Sequence, residues 1–197
     1  EQLINGETGM TSAEHTTHVV GVILASGEHC LDGQDVGRGM APGCKVISYT
    51  ANNDGATTAE ERRQCHHTWY HVIDNHSYNY NTGANPGDER EFDVDNRDLN
   101  LLSCFAAGNA AGDPIDANMP KNAFVVGAVD GDGIKTTYTS SGPLGLTGSS
   151  SRVVPDICAV GNVNTTSTTG GYDGPSTVIG TSFAAPNISG MYALLAQ

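Results

Sequence analysis

The 197-residue chain carries a formal net charge of −13, with nine Lys and Arg residues against 22 Asp and Glu residues. Nucleic acid requires a basic face that neutralises phosphates, so this balance argues against such a partner and favours cationic peptides. With 38% hydrophobic residues and no apolar run of roughly 18 residues, the sequence predicts a single globular domain over residues 1–197, with no membrane partner.

The N-terminal part of the chain predicts a loop followed by a helix. Residues 1–11 are polar and contain glycine, whereas Thr11 or Ser12 can cap a helix whose buried side consists of Val, Ile and Leu residues between positions 19 and 24. His15 falls in the first two turns of this helix, open to a cleft. Taken alone, His15 and His18 are each more commonly structural residues than catalytic bases.

Five cysteines leave at least one thiol free or paired outside the chain, because their number is odd. Cys30 and Cys44 flank a Gly-rich segment, and a disulfide between them would close it as a loop. Spacing alone does not fix connectivity, so a free Cys44 remains the alternative.

The middle of the chain alternates between strand and helix signals. Short apolar runs predict strands at 46–49, 72–78, 101–107 and 121–129. The capping box Thr58-Ala59-Glu60-Glu61 predicts a helix that extends to about Tyr70. Its adjacent His66 and His67 are not spaced to share a metal on one helix face, which argues against zinc. Residues 81–98, with Gly, Pro and many charged residues, predict a solvated insertion.

This alternation predicts the fold class. Strands that alternate with helices form an α/β domain, in which a mostly parallel central sheet is covered by helices on both faces.

Near the C-terminal end lies the segment Gly180-Thr181-Ser182-Phe183-Ala184-Ala185-Pro186. A serine that follows Gly-Thr and precedes small residues can begin a helix, where Gly180 permits close approach and the alanines leave room for a substrate. That position suits a nucleophile. An ordinary N-cap followed by a buried helix would give the same pattern, so this segment alone leaves both interpretations open.

Three segments follow one another in a specific order: His15-Thr16-Thr17-His18-Val19-Val20-Gly21, Ala106-Ala107-Gly108-Asn109, and the Ser182 segment. Together they resemble the subtilisin-like serine proteases (subtilases), whose blocks are His-Gly-Thr-His-Val-Ala-Gly, Ala-Ala-Gly-Asn and Gly-Thr-Ser-Met-Ala-Ala-Pro. The resemblance implies a subtilisin-like fold and a secreted or extracytoplasmic serine endopeptidase. It also implies that Ser182 is the nucleophile, His15 the general base, Asn109 an oxyanion-hole donor, and His18 a structural residue.

The resemblance also implies where a peptide or protein substrate binds. His76-Ser77-Tyr78-Asn79 takes the place of the family's Ser-Leu-Gly-Gly segment, whose backbone pairs with the substrate as an added strand. The predicted substrate-binding residues are Ser77, Tyr78, Ala106, Ala107 and Gly108. No cofactor or catalytic metal is implied for the chemistry. Structural calcium, common in the family, is compatible with the Asp-rich loops, although no complete ligand set is recognisable.

The third member of the catalytic triad is missing from the pattern. In subtilases an aspartate in an Asp-Thr-Gly or Asp-Ser-Gly turn ends an apolar strand well before the histidine, and only 14 residues precede His15. Glu7-Thr8-Gly9 has the form of that turn but lacks the strand, and Asp156 matches an aspartate that is structural in the family. We therefore expect a domain that is incomplete at its N-terminus, with the catalytic Asp on a separate segment.

Two functions remain open from the sequence. One is a serine endopeptidase whose complete form cleaves proteins, and the other is a catalytically silent domain that binds peptides in the same cleft. An esterase of the α/β-hydrolase type fits less well, because in those enzymes the serine precedes the acid and the histidine.

Overall fold

A computed structural model of the protein describes residues 14–27, 37–48, 55–78, 88–111, 119–143, 152–166 and 175–196. The helices in these parts are α1 (Glu14–Leu24), α2 (Gly55–Trp69), α3 (Asp88–Asp98) and α4 (Thr181–Leu195). The strands are β1 (Ile73–His76), β2 (Leu102–Ala106), β3 (Phe124–Val129), β4 (Gly142–Pro143), β5 (Val153–Val154), β6 (Ile157–Val160), β7 (Asn162–Thr166) and β8 (Pro175–Ile179).

Four strands form a parallel sheet in the order β1-β2-β3-β6. Two antiparallel pairs, β4-β5 and β7-β8, lie outside it. Parallel neighbours need crossover connections, and α3 lies in the chain between β1 and β2. The predicted α/β architecture with a mostly parallel sheet is therefore confirmed.

The two faces of the sheet bury different residues, because side chains alternate along a strand. On one face, Phe105 of β2 packs with Phe92 of α3. On the other face, Cys104 and Ala106 pack against a buried face of α4 that is formed by Ala184, Ala185 and Ile188. Helices thus cover both faces, as the sequence predicts, and they bring the start of α4 to one end of the sheet.

Helix α1 packs on α4 beside the β7-β8 pair. Val19 and Val22 form a small core with Phe183, and Val163 and Val178 pack against it. The last turn of α1 would leave backbone carbonyls without partners. The segment 39–41 satisfies two of them, because its N–H groups donate to the carbonyl oxygens of residues 22 and 23 at 3.0 and 2.7 Å, and a third N–H group donates to the carbonyl of residue 25, just after the helix, at 2.8 Å. This holds the helix that carries His15 in place.

Some predicted elements differ from the structure. Residues 44–48 contain no strand, and Val46 is 39% exposed, so the strand predicted at 46–49 is wrong within the described residues. Helix α2 begins at Gly55, so Thr58 lies inside the helix rather than capping it. The insertion predicted at 81–98 contains α3, which buries Phe92 against the sheet. Cys44 is a free thiol, which is the second of the two alternatives that its spacing from Cys30 leaves open; Cys30 lies outside the described residues.

Candidate active site

The predicted nucleophile Ser182 is the second residue of α4, half-buried at the N-terminal end of the helix. Gly180 precedes the helix with a φ angle of +156°, a conformation that residues with side chains rarely adopt. The first N–H groups of a helix have no acceptor within the helix, and they carry its positive end. The backbone around Ser182 is therefore suited to hold a negative charge.

Asn109, which follows β2, is hydrogen-bonded to the first residue of α4. Its Oδ1 atom accepts from the backbone N–H of Thr181 at 3.0 Å and from the Thr181 hydroxyl at 3.1 Å. An N–H group can only donate, so these bonds fix which end of the Asn109 amide faces Thr181. The Nδ2 group therefore points elsewhere, and it lies 3.5 Å from the place where a Cβ atom on Gly180 would stand.

The loop after β2 is anchored at the same helix terminus. The backbone N–H of Gly108 donates to the Thr181 hydroxyl at 3.1 Å, and the Gly108 carbonyl accepts from the N–H of Ser140 at 2.9 Å. Thr181 is fully buried, so it links the Asn109 loop to α4 away from solvent. The sequence pattern contains Thr181, but nothing in its spacing indicates these partners.

His15, the second residue of α1, lies beside the start of α4. Its ring centroid is 5.5 Å from that of Phe183, and its Nε2 atom is 3.0 Å from the backbone carbonyl oxygen of Ser77. The hydroxyl of Ser77 in turn donates to the carbonyl oxygen of Ser182 at 2.7 Å. His15 and Ser182 are thus both hydrogen-bonded to one residue at the end of β1.

The contact with Ser77 indicates which ring nitrogen of His15 carries a hydrogen. A carbonyl oxygen only accepts, so Nε2 must carry a hydrogen in this arrangement. Among the described residues, no carboxylate is hydrogen-bonded to the His15 ring. The second histidine, His18, is buried and lies 3.8 Å from Glu14, with its ring 6.2 Å from Phe183. His15 is therefore the histidine of this pair that is exposed beside Ser182.

A model of the subtilase family matches residues 4–197 of the sequence. The chain belongs to the subtilase family. No curated protein matches the sequence significantly. The resemblance seen in the three sequence blocks is thus confirmed at the level of the family.

Solved structures with the same fold include proteases and a macrocyclase. The protease domain of PatA superposes with a TM-score of 0.73 at 24% identity, over 98% of this subtilase and 70% of that chain. The prenylagaramide maturation protease PagA gives 0.69 at 21% identity, over 98% and 66%. The PatG macrocyclase in complex with a peptide gives 0.67 at 21% identity, over 92% and 52%. The subtilase chain thus spans about half the length of the PatG domain.

Four predicted substrate-binding residues of the subtilase already have partners within the fold. Tyr78 is turned towards His76, whose Nδ1 atom is 2.7 Å from the Tyr78 hydroxyl. Ala106 and Ala107 have buried side chains, and the N–H of Ala107 donates to the carbonyl of Val126. Both backbone groups of Gly108 are also hydrogen-bonded. The assignment of these four residues and Ser77 to substrate binding stays a prediction.

Asp156 has a structural environment in this subtilase. Its carboxylate accepts from the backbone N–H of Val125 at 2.8 Å and from the Arg152 guanidinium at 2.5 Å. These contacts hold the chain before β6 against β3. Glu7, the other carboxylate considered for the triad, lies outside the described residues.

A buried polar cluster beneath β1 was not predicted from the sequence. Arg62 of α2 is completely buried, donates to Asp74 at 2.7 Å and to Ser103 at 3.1 Å, and also bonds Asn96. Burial alone would raise the pKa of the Asp74 carboxyl, but Arg62 and the hydrogen bond from His71 hold that pKa well below its usual range. The cluster fixes β1 on the face opposite α4.

Two of the described cysteines have thiols that are poor nucleophiles. Burial raises the pKa of Cys65 and of Cys104 to about 11, so both thiols stay protonated near neutral pH and are poor nucleophiles. Within the described ranges, no group of three or more His, Cys, Asp and Glu residues could hold a metal ion. Structural calcium stays a prediction, and so does the secreted or extracytoplasmic location.

No helix in the described parts of the chain is both long and apolar enough to cross a membrane.

Proposed function

We propose that this subtilase is a serine endopeptidase in which Ser182 is the nucleophile, His15 the general base and Asn109 an oxyanion donor. One observation carries the proposal: Ser77 is hydrogen-bonded to both His15 and Ser182, which brings base and nucleophile to the same end of α4. Asn109 is bonded to Thr181 at that same end.

The first step is attack of the Ser182 hydroxyl on a peptide carbonyl, while His15 Nε2 takes the hydroxyl proton. The negative charge that develops on the carbonyl oxygen is stabilised by Asn109 Nδ2 and by the backbone N–H of Ser182. Thr181 supports this role, because it occupies Asn109 Oδ1 and so directs the donor end of the amide away from itself. His15 then returns the proton to the leaving amine, and water hydrolyses the acyl-enzyme by the same route.

Proton transfer requires an unprotonated Nε2 on His15. In the described structure this atom donates to the Ser77 carbonyl, so a neutral ring carries its hydrogen on Nε2 rather than on Nδ1, where catalysis requires it. A carboxylate that accepts from Nδ1 would stabilise the productive tautomer and the imidazolium that forms. We propose that this acid comes from outside the described residues, either Glu7 or a separate N-terminal segment.

The proposal is tested with a fluorophosphonate probe that reacts only with an activated serine. The purified chain, Ser182→Ala and His15→Ala are each incubated with the probe, checked for folding by circular dichroism, and mapped by peptide mass spectrometry. Labelling at Ser182 that is lost in both variants supports the proposal. Absence of labelling in a folded wild-type chain, with and without added segments bearing the Asp-Thr-Gly turn, contradicts it.

A second candidate function is peptide binding without catalysis. The observation that favours it is the engagement of His15 Nε2 by Ser77, which leaves Ser182 without its base in the described arrangement. That candidate predicts binding of a fluorescent cationic peptide, measured by anisotropy, by a chain that does not react with the probe. The charge of −13 favours a cationic peptide for this measurement.

A further inference from the structure

The carbonyl of Ser182 lacks its usual partner inside α4. In an α-helix, a carbonyl accepts from the N–H of the residue four positions later. Four positions after Ser182 stands Pro186, which is buried in the helix and has no N–H group. The backbone of the proposed nucleophile therefore loses the hydrogen bond that would fix it to the second turn of the helix.

Ser77 supplies a replacement donor from the end of β1. Its hydroxyl donates to the Ser182 carbonyl oxygen at 2.7 Å across 105 positions of sequence, and the Ser77 residue is buried. The single hydroxyl hydrogen of Ser77 is used in this bond, so its oxygen can only accept from other groups.

Two further residues fix the orientation of the Ser77 hydroxyl. The Nδ2 group of Asn75 donates to the Ser77 oxygen at 2.9 Å, and the Oδ1 atom of Asn75 accepts from the hydroxyl of Ser189 at 3.0 Å. Ser189 is buried on α4, one turn beyond Pro186. We name the hydrogen-bonded chain from Ser189 through Asn75 and Ser77 to the Ser182 carbonyl the serine relay.

We propose that Ser77 is a positioning residue, whose hydroxyl replaces the helical bond removed by Pro186 and so fixes the backbone of the nucleophile. The catalytic consequence rests on the proposed function of Ser182. The backbone carbonyl of Ser77 bonds His15 Nε2, so displacement of this residue would also change the distance between base and nucleophile. The serine relay thus sets the position of His15 relative to Ser182.

The presence of Pro186 allows a sharp test. The variant Pro186→Ala restores an N–H group that can donate to the Ser182 carbonyl, so the hydroxyl of Ser77 becomes less important in that background. The test is a double-mutant cycle of Ser77→Ala and Pro186→Ala. Ser77→Thr keeps a hydroxyl at the position, and Ser141→Ala serves as control because its hydroxyl bonds Lys135 on the surface, outside the serine relay.

The first readout does not depend on activity. The pair Ser182-Phe183 is the only Ser-Phe sequence in the chain, so labelling serine carbonyl carbons with ¹³C and phenylalanine nitrogens with ¹⁵N gives one HNCO signal, for the Ser182 carbonyl. We expect an upfield ¹³C shift in Ser77→Ala, a much smaller one when Ser77→Ala is added to Pro186→Ala, and none in Ser141→Ala. An unchanged signal in Ser77→Ala, or equal shifts in both backgrounds, overturns the proposal.

The second readout is the rate of labelling by the fluorophosphonate probe. We expect Ser77→Ala to slow labelling at saturating probe roughly tenfold, about the effect of one hydrogen bond, without changing the probe concentration at half-saturation. Ser77→Thr should restore most of the rate. If the wild-type chain labels neither alone nor with the added segments that bear the Asp-Thr-Gly turn, the proposed function fails while the HNCO cycle still decides the positioning role. If the wild type labels and Ser77→Ala labels equally fast, the positioning role fails alone.

Discussion

His76 should make the stability of this fold sensitive to mild acid. The residue is 1% exposed, its ring stacks on that of Phe105 with the centroids 4.3 Å apart, and it lies nearly perpendicular to the ring of Phe92 with the centroids 5.1 Å apart. Burial lowers the pKa of His76 to about 3, an effect that the nearby Asp74 carboxylate opposes and that Arg62 and His71 reinforce. The imidazole is therefore neutral in the folded protein at any pH above that value.

The pKa of the same side chain in the unfolded chain is about 6.5. Because the folded pKa is depressed, the unfolded chain takes up the proton first as the pH falls, and stability decreases from about pH 6.5 down to about pH 3. Each pH unit in this window removes about 1.4 kcal/mol, so at about pH 4.5 the loss is about 3 kcal/mol. That is a large part of the 5–15 kcal/mol that stabilises a typical domain.

The variant His76→Phe keeps an aromatic ring between Phe92 and Phe105 and removes the titration. We expect it to be less stable than the wild type at about pH 7, because the Tyr78 hydroxyl loses a partner, but to lose much less stability on acidification. Urea unfolding at about pH 7, 5.5 and 4.5 measures this difference. His67→Gln, at an exposed position of α2, is the control and should keep the wild-type pH dependence. An equally steep loss in His76→Phe would refute the reasoning.

Three further substitutions have defined expectations. Asn109→Ala should slow probe labelling of Ser182 by about 10²–10³-fold, the cost of one oxyanion donor, and an unchanged labelling rate would remove Asn109 from the site. Arg62→Met should lower the free energy of unfolding by about 3–5 kcal/mol in urea titrations, because Asp74 is left buried without its cation; a loss below about 1 kcal/mol would contradict this. Gly39→Ala should lower the melting temperature, because its Cβ atom would stand 2.5 Å from the Ala25 nitrogen, whereas Gly43→Ala, with open space around it, should not.

The sequence predicts best those elements whose burial is visible in their composition. The mostly apolar run at 101–107 predicts the central strand β2, observed as Leu102–Ala106, because a strand covered on both faces has apolar residues on both of its sides. Helix α4 was also predicted from its run of small and apolar residues. In both cases local composition and tertiary environment agree.

Helix α3 shows why other elements were missed. It has one large buried apolar residue, Phe92, among eleven residues that are mostly charged, so its sequence predicts a solvated segment. Besides the packing of Phe92, α3 is held by partners on α2: Arg63 donates to Asp95 at 2.7 Å, and Arg62 bonds Asn96. These partners are about 30 residues away in the sequence, so no local sequence pattern predicts the contacts. The strand predicted at 46–49 is wrong for the opposite reason: its sequence is apolar, but the fold leaves Val46 exposed.

The residues of the candidate site also fall into two groups: those that the local sequence predicts, and those that only the fold brings together. The sequence predicts His15, Asn109 and Ser182, because each stands in a recognisable block. Ser189 and Asn75 are 114 positions apart, and only the packing of α4 on β1 makes them partners. One signal in the sequence was available: Pro186 follows Ser182 by four positions and so removes the helical donor to its carbonyl. That spacing predicts a need for another donor, although it does not identify Ser77.

The tautomer of His15 links the arrangement of Ser77 to the triad acid that we propose from outside the described residues. With no carboxylate bonded to its ring among the described residues, His15 places its hydrogen on Nε2, where the Ser77 carbonyl accepts it. A carboxylate at Nδ1 would reverse this preference and free Nε2 to accept the proton of Ser182. In subtilisin, removal of the triad acid alone lowers kcat about 3 × 10⁴-fold, which corresponds to about 6 kcal/mol of barrier. The Ser182 carbonyl is bonded by the hydroxyl of Ser77, whereas His15 is bonded by the Ser77 carbonyl, so a change of tautomer on His15 does not itself remove the donor to the nucleophile's backbone. Activity of the proposed endopeptidase should therefore depend on the source of that carboxylate more than on any rearrangement of α4.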